Sequence, residues 1–217
     1  MFYNLFSSMG SDIMNQDVPL IIWLQGGPGG SSQFGAFTEN GPIRIVNNTC
    51  KLFPYSWSLL GHMLFIDQPL NVGFSNYGDR NASSQVSSAN EAGEHLVNFM
   101  DNFYKTWPSM KNNPLYITGE SFAGHYIPAF ARTIIMNSTW QKATGMTLAG
   151  VAIGDGWIDP VNQFNYFDSL LYSAGIVSNK WRETATWYQT QGIINLLKSE
   201  YETVLLHLSR PATSSTF

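Results

Sequence analysis

Four apolar runs, each closed by glycine or proline, constrain this chain more than any other feature. "PLIIWLQ" (19–25) passes straight into "GGPGGSS", and "HMLFIDQP" (62–69) stops at a polar pair and a proline. "LYIT" (115–118) ends on Gly119, and "TLAGVAIGDGW" (147–157) ends on Gly154 and Gly156. A run without polar alternation has no face to offer water, so the first three suit strands covered on both sides, the condition of a parallel sheet, and the fourth reads as another strand. "FYNLFSS" near the start reads as a further strand. Between the strands, "VSSANEAGEHLVNFMDNFYKTWP" places Ala92, Leu96, Phe99 and Phe103 on one helical face with Pro108 as a stop, and a second helix is predicted from about Phe122 to Met136. From Asn162 onward the text is mostly helical, closing on "SRPATSSTF" (209–217), which reads as a disordered tail. Strands alternating with helices predict an α/β fold with a mainly parallel sheet and helices on both faces. Ligands of such sheets bind at the carboxyl ends of the strands, where the glycines at 26–30, Ser121 and the Gly-Asp-Gly at 154–156 all fall.

At 217 residues and 44% hydrophobic content the chain is long enough for one large domain, expected over 1–208. A net charge of −4 with only 12% charged residues, and no basic run, argues against a nucleic-acid partner. Cys50 is the sole cysteine, so an internal disulfide and a cysteine metal site are excluded; the thiol is expected to be buried or partly buried. No apolar run approaches the roughly 20 residues of a spanning helix, and the first residues carry no basic signal-peptide region. Metal ligands do not cluster and no Rossmann or P-loop glycine pattern occurs, so no cofactor and no metal are expected. Asn47, Asn81 and Asn137 each open an N-x-Ser/Thr sequon, a number that a chain this rich in Asn, Ser and Thr carries by chance.

The chemistry concentrates at Gly119-Glu120-Ser121-Phe122-Ala123. A serine hydroxyl is a poor nucleophile unless it is held clear of its strand beside a base and oxyanion donors. Small residues two positions to either side of Ser121, a strand before it and a helix after it are what a nucleophile elbow requires. The second part is "WLQGGPGG". A tetrahedral intermediate needs two backbone N–H groups, one from the residue after the nucleophile and one from a glycine-rich loop after an earlier strand, which makes Phe122 and Gly27 the candidates. Taken alone, the glycine stretch is equally a turn that uses Gly and Pro for their backbone geometry.

"WLQGGPGGSS", "ENGP", "LFIDQP" with "GFS", "GESFAGHYIP" and "IGDGWIDP" occur in the order found in serine carboxypeptidases, and over roughly residues 3–180 the chain resembles that family. The "LQGGPGGSS" wording is similar to its vitellogenic-like members. The resemblance implies an α/β-hydrolase fold and removal of single residues from peptide carboxyl ends, generally in lysosomal, vacuolar or secreted settings. It implies Ser121 as nucleophile and the backbone of Gly27 and Phe122 as oxyanion hole. Glu120 and Gln25, supported by Trp23 and Glu39, would hold the substrate's terminal carboxylate. Two carboxyl groups share a hydrogen bond only when one is protonated, so affinity is expected to fall as pH rises and Glu120 loses its proton. Gln25 and Gly30 stand where many members carry Asn and Cys, and "LNVGFS" departs from the usual Val-Gly-Thr wording, so Leu70 and Val72 are expected to alter the pocket for the leaving residue.

The family's acid and base lie on late strands, and nothing after Ser121 reads like either segment. His125 and His207 are read as non-catalytic, His62 as a strand-edge residue and His95 as a helix-surface residue; Asp155 and Asp159 are read as turn residues. The chain is therefore expected to be the front portion of such an enzyme, truncated before the late strands and inactive alone. Two rivals stay open: a carboxypeptidase-like acyltransferase, and a catalytically dead binder of peptide carboxyl termini.

Overall fold

The computed structural model describes residues 1–76 and 86–198. Asn81, His207 and the tail at 209–217 lie outside the described residues. The chain divides into two units, Met1–Gly156 and Trp157–Phe217, the division falling inside the span expected for a single domain.

The first unit is built on a five-stranded sheet of β1 (Tyr3–Phe6), β2 (Leu20–Leu24), β5 (His62–Ile66), β6 (Leu115–Glu120) and β7 (Leu148–Gly154), in the order β1-β5-β2-β6-β7. β2 runs parallel to β5 and β6, and β6 to β7, while β1 runs antiparallel to β5 at the edge. The central apolar runs are strands because both of their faces are covered: every residue of β2 and β5 is buried. Leu20, Ile22, Leu24, Leu64 and Ile66 point to one face, against α2 (Ala89–Thr106) and α3 (Ala123–Met136). Ile21, Trp23, Met63 and Phe65 point to the other, against Ala36, Phe37 and Trp57.

The two faces are thus clothed unequally within this unit. Chain entering β5 from β2 moves leftward in the sheet, whereas β5 to β6 and β6 to β7 move rightward; right-handed crossovers then put α2 and α3 together on one face. The leftward connection carries only α1 (Ser32–Phe34), which widens into a five-residue turn at Gly35–Glu39, and the hairpin β3 (Ile43–Val46) and β4 (Thr49–Leu52). The expectation of helices on both faces holds here only in this reduced form. Its consequence is functional: the strand order reverses beside β2, and the carboxyl ends of β2 and β6 flank that switch point, the usual place for a ligand in such a sheet.

α2 begins where Ser88 accepts a hydrogen bond from the N–H of Glu91 at 3.2 Å, while Glu91 reaches back to the N–H of Ser87 at 2.9 Å. Its buried face includes Ala92, Leu96 and Phe103, as its spacing requires, with Phe99 partly buried. The β3–β4 hairpin turns on Asn47 and Asn48, both at positive φ (50° and 59°), the backbone of a two-residue primed turn that Asn tolerates well. Cys50 pairs with Ile45 on this hairpin and is exposed, so the expected burial of its thiol is corrected: the hairpin projects and nothing covers β4. His62 is corrected likewise. It is fully buried, its Nδ1 accepting from the N–H of Ser8 at 3.0 Å and its Nε2 lying 2.9 Å from the carbonyl of Asn15, because the segment after β1 folds over the start of β5.

The second unit is helical as far as it is described, with α5 (Pro160–Gln163), a single turn at Phe164–Tyr166, α6 (Phe167–Ser173) and α7 (Asn179–Leu197). Asp159 caps α5, accepting from the N–H of Asn162, which is the helix-entry role its position ahead of Pro160 predicts. Asp168 joins α6 to α7, its carboxylate accepting from Thr186 Oγ1 at 2.7 Å and Gln189 Nε2 at 3.0 Å.

Candidate active site

The site sits at the carboxyl ends of β2 and β6. β6 passes into α3 through Ser121, which adopts φ +55°, a left-handed conformation rare for a residue with a side chain and costing about 1–2 kcal/mol. The turn is fastened on both sides. Ser121 donates its N–H to the carbonyl of Gly154 at 3.0 Å, and its own carbonyl accepts from the N–H of Gly124 at 2.9 Å. Gly119 makes the turn possible: a Cβ there would stand 2.1 Å from the carbonyl oxygen of Leu24 and 2.9 Å from Cβ of Ala123. The strained serine is the elbow geometry that the Gly-x-Ser-x-Ala spacing calls for.

Opposite it, the loop after β2 closes on itself through the N–H of Gly30 and the carbonyl of Gly26 at 2.8 Å. Gly26 presses directly on the elbow, since a Cβ on it would lie 2.6 Å from the backbone nitrogen of Phe122 and 2.8 Å from Cβ of Ser121. Gly27 follows, exposed and at φ +120°. The glycine loop and the serine turn, some ninety-five residues apart in sequence, are therefore in van der Waals contact.

Beside them lies a chain of polar groups. Trp23 Nε1 donates to Gln25 Oε1 at 3.0 Å, which fixes the amide so that its Nε2 points at Glu120 Oε1 (2.6 Å) and Glu39 Oε1 (3.5 Å). Gln25 is buried, and Trp23 is held edge-on against Trp57. The residues predicted as a carboxylate clamp are thus brought together, and the longer arm of Gln25 spans both glutamates. Glu39's carboxyl is held above its ordinary value of 4.5, first by burial, then by the negative charge of Glu120 and a hydrogen bond to it, with Gln25 opposing and Asp155 adding to the rise. Asp155, at φ +38° just past β7, is a turn residue as expected. Its charge nevertheless reaches Glu39, a link that the reading of it as a turn residue did not contain; its position at the same carboxyl edge as Ser121 was the available signal.

A cavity of about 460 Å³ opens beside the elbow, lined by Pro28, Gly29, Pro69, Phe122, His125 and Tyr126 among others. Phe122 packs on His125 (4.7 Å between ring centroids) and Tyr126 (5.2 Å), and burial pushes the His125 imidazole below its usual range. Among the described residues no histidine is hydrogen-bonded to Ser121. His62 is committed to Ser8 and Asn15, and His95 is half-buried on α2. Also among the described residues, no group of three or more His, Cys, Asp or Glu side chains is arranged to hold a metal ion, and no helix is long and apolar enough to cross a membrane. Of the described sequon residues, Asn47 is exposed at the hairpin tip, while Asn137 caps α4 (Ser138–Thr144) by accepting from the N–H of Trp140.

A family model described as serine carboxypeptidase matches residues 1–211. The vitellogenic carboxypeptidase of Aedes aegypti is 42% identical over 171 residues, covering 77% of this chain and 35% of the relative. Carboxypeptidase Y of Komagataella phaffii is 41% identical over 175 residues, covering 80% and 31%. A solved structure of Kex1ΔP, a prohormone-processing carboxypeptidase from Saccharomyces cerevisiae, superposes with a TM-score of 0.77 at 29% identity, covering 99% of this chain and 49% of that one. The chain belongs to the serine carboxypeptidase family and has that family's α/β-hydrolase fold, and it spans about a third of the length of these two curated relatives.

Proposed function

We propose that the protein is a serine-type carboxypeptidase that hydrolyses the last peptide bond of its substrates through an acyl-enzyme on Ser121. The observation that carries this reading is the contact between the strained serine turn and the Gln25–Glu120–Glu39 cluster: a nucleophile beside a site for a free carboxylate selects chain ends. Ser121 Oγ attacks the scissile carbonyl, the N–H groups of Phe122 and Gly27 donate to the developing oxyanion, the terminal residue leaves as its free amine, and water then releases the acyl group. Gln25, Glu120 and Glu39, braced by Trp23, hold the terminal carboxylate. The proton acceptor that Ser121 requires is assigned to the portion of the relatives' length that this chain does not span. Residues 1–208 are assigned to one partial domain of that fold, with support from the family match over 1–211. The substrates are peptide or protein carboxyl termini, and an acidic lysosomal or vacuolar compartment, or secretion, suits the clamp's electrostatics.

The clamp makes a pH prediction with a definite sign. Two ionised glutamates repel a substrate carboxylate, whereas a protonated one donates to it. Because Glu39's pKa is raised, it keeps its proton above the ordinary glutamate range. Binding is fully present below that range and is lost as pH climbs through the raised value, at up to about tenfold in KM per pH unit for a single linked proton. KM for a peptide with a free carboxyl terminus, measured from pH 4 to 8 on the full-length protein, rises with pH, and Glu39→Gln flattens the rise. A KM independent of pH in the unsubstituted protein overturns the clamp.

A further inference from the structure

We infer that Asp67, which the proposed chemistry does not use, is a positioning residue that holds the glycine loop in register with Ser121. For its kinetic consequences this rests on the carboxypeptidase reading; for its structural ones it does not. Asp67 follows β5 directly and is fully buried. Its Oδ1 accepts from Ser31 Oγ at 2.7 Å and from Gln33 Nε2 at 3.4 Å, and its Oδ2 accepts from the N–H of Phe74 at 2.9 Å. Its main chain is fastened as well. The N–H donates to the carbonyl of Phe2 at 3.0 Å, and the carbonyl accepts from Ser75 Oγ at 2.6 Å, an oxygen that itself accepts from the N–H of Phe2 at 2.7 Å.

Among the described residues no lysine or arginine forms an ion pair with this carboxylate. A buried carboxylate held by neutral donors alone is retained only where those donors feed both of its oxygens. An amide of the same shape keeps fewer of these bonds: with its oxygen on the N–H of Phe74 its NH₂ faces Ser31 Oγ, which must turn from donor to acceptor, and Gln33 Nε2, which is left donor against donor.

What the carboxylate holds is the far end of the glycine loop. Ser31 caps α1, its Oγ accepting from the N–H of Gln33 at 3.2 Å, and it lies one residue past Gly30, whose N–H closes on Gly26. Gly26 in turn abuts the backbone nitrogen of Phe122. The next residue, Ser32, accepts from the N–H of Gln25 at 3.1 Å, so the same anchorage reaches the clamp. A shift at Ser31 is therefore transmitted to the oxyanion donors, and a displacement of about 1 Å costs on the order of a hundredfold in rate.

Three variants of the full-length protein test this, read by steady-state kinetics and by hydrogen exchange over residues 25–34. Asp67→Asn and Ser31→Ala should each lower kcat by roughly ten- to a hundredfold with KM changed less than about threefold, and the double variant should be no worse than Asp67→Asn alone. Both should speed exchange across the loop. Ser75→Ala, which cuts the bonds to Phe2 and to the Asp67 carbonyl but leaves the carboxylate's own bonds to Ser31, Gln33 and Phe74, should lower the melting temperature while leaving kcat within about twofold and loop exchange unchanged. Equal kcat losses in Asp67→Asn and Ser75→Ala would reduce Asp67 to general scaffolding and overturn the proposal, as would wild-type kcat and loop exchange in Ser31→Ala. Should Asp67→Asn fail to fold, Ser31→Ala decides. Should the unsubstituted protein show no turnover, the carboxypeptidase reading falls, and the exchange pattern alone judges Asp67: faster loop exchange in Asp67→Asn and Ser31→Ala but not in Ser75→Ala supports it, and no change overturns it.

Discussion

Replacing Ser121 with alanine is expected to lower kcat for peptide substrates by about a thousandfold or more while leaving their binding intact. The size of the loss follows from what remains. Without the nucleophile no acyl-enzyme forms, and only positioning and the oxyanion donors still act on the substrate, which in serine hydrolases leaves a residual of about 10³–10⁴ over the uncatalysed rate. Binding survives because the clamp is carried by other residues: Gln25 reaches Glu120 and Glu39 without involving the serine side chain. The fold survives too. Alanine keeps the same Cβ at φ +55°, and the turn is held by main-chain bonds to Gly154 and Gly124 rather than by Oγ. Single-turnover rates and calorimetric titration with a peptide acid separate the two quantities. A variant that keeps more than about a tenth of the activity removes Ser121 from the mechanism.

Gly119→Ala is expected to destabilise the protein by about 3 kcal/mol and to abolish activity with it. The added methyl would lie 2.1 Å from the carbonyl oxygen of Leu24, which belongs to the strand paired with β6, and 2.9 Å from Ala123 at the start of α3. Neither neighbour is a flexible side-chain end that can swing away. Relief requires β2 and β6 to part or α3 to lift from the sheet, and both movements open the main apolar core around Ile22, Leu24 and Ile117. Chemical denaturation at fixed pH gives the number. A loss below about 1 kcal/mol would show that the elbow has slack that the close contacts deny.

How much of this was legible in the sequence depended on whether a signal was local. The strands at 20–24, 62–66 and 115–120 were legible because a strand covered on both faces is mostly apolar, a condition written in consecutive residues; the first two are buried throughout and the third at four of its six positions. The elbow was legible for the same reason: strand, Gly119, Ser121, Ala123 and helix fall within one short stretch of sequence. The antiparallel direction of β1 was not, since a four-residue segment, YNLF, states no direction and only the partner strand supplies it. His62 was misjudged because its burial comes from the segment 8–15 folding back over it, and Cys50 because its hairpin stands clear of the core. The residues proposed as the clamp were picked out through the wording of the motifs, yet the reach of the Gln25 amide to both glutamates and the charge of Asp155 on Glu39 depend on strand order and side-chain direction. Asp67 illustrates the limit best. Its sequence neighbours, Ile66 and Gln68, say nothing of Ser31 or Phe74, which only the folded sheet brings to it.

Whether a serine turn and a carboxylate clamp act together on chain ends is decided by hydrolysis, by the full-length protein at about pH 5, of two peptides that differ only in a free or an amidated carboxyl terminus, followed by mass spectrometry. Stepwise loss of single residues from the free acid is expected, with kcat/KM for the amide lower by roughly a hundredfold, since a neutral terminus forfeits its charge-assisted hydrogen bonds to the clamp. Equal rates on both peptides, or cleavage at internal bonds, would contradict it.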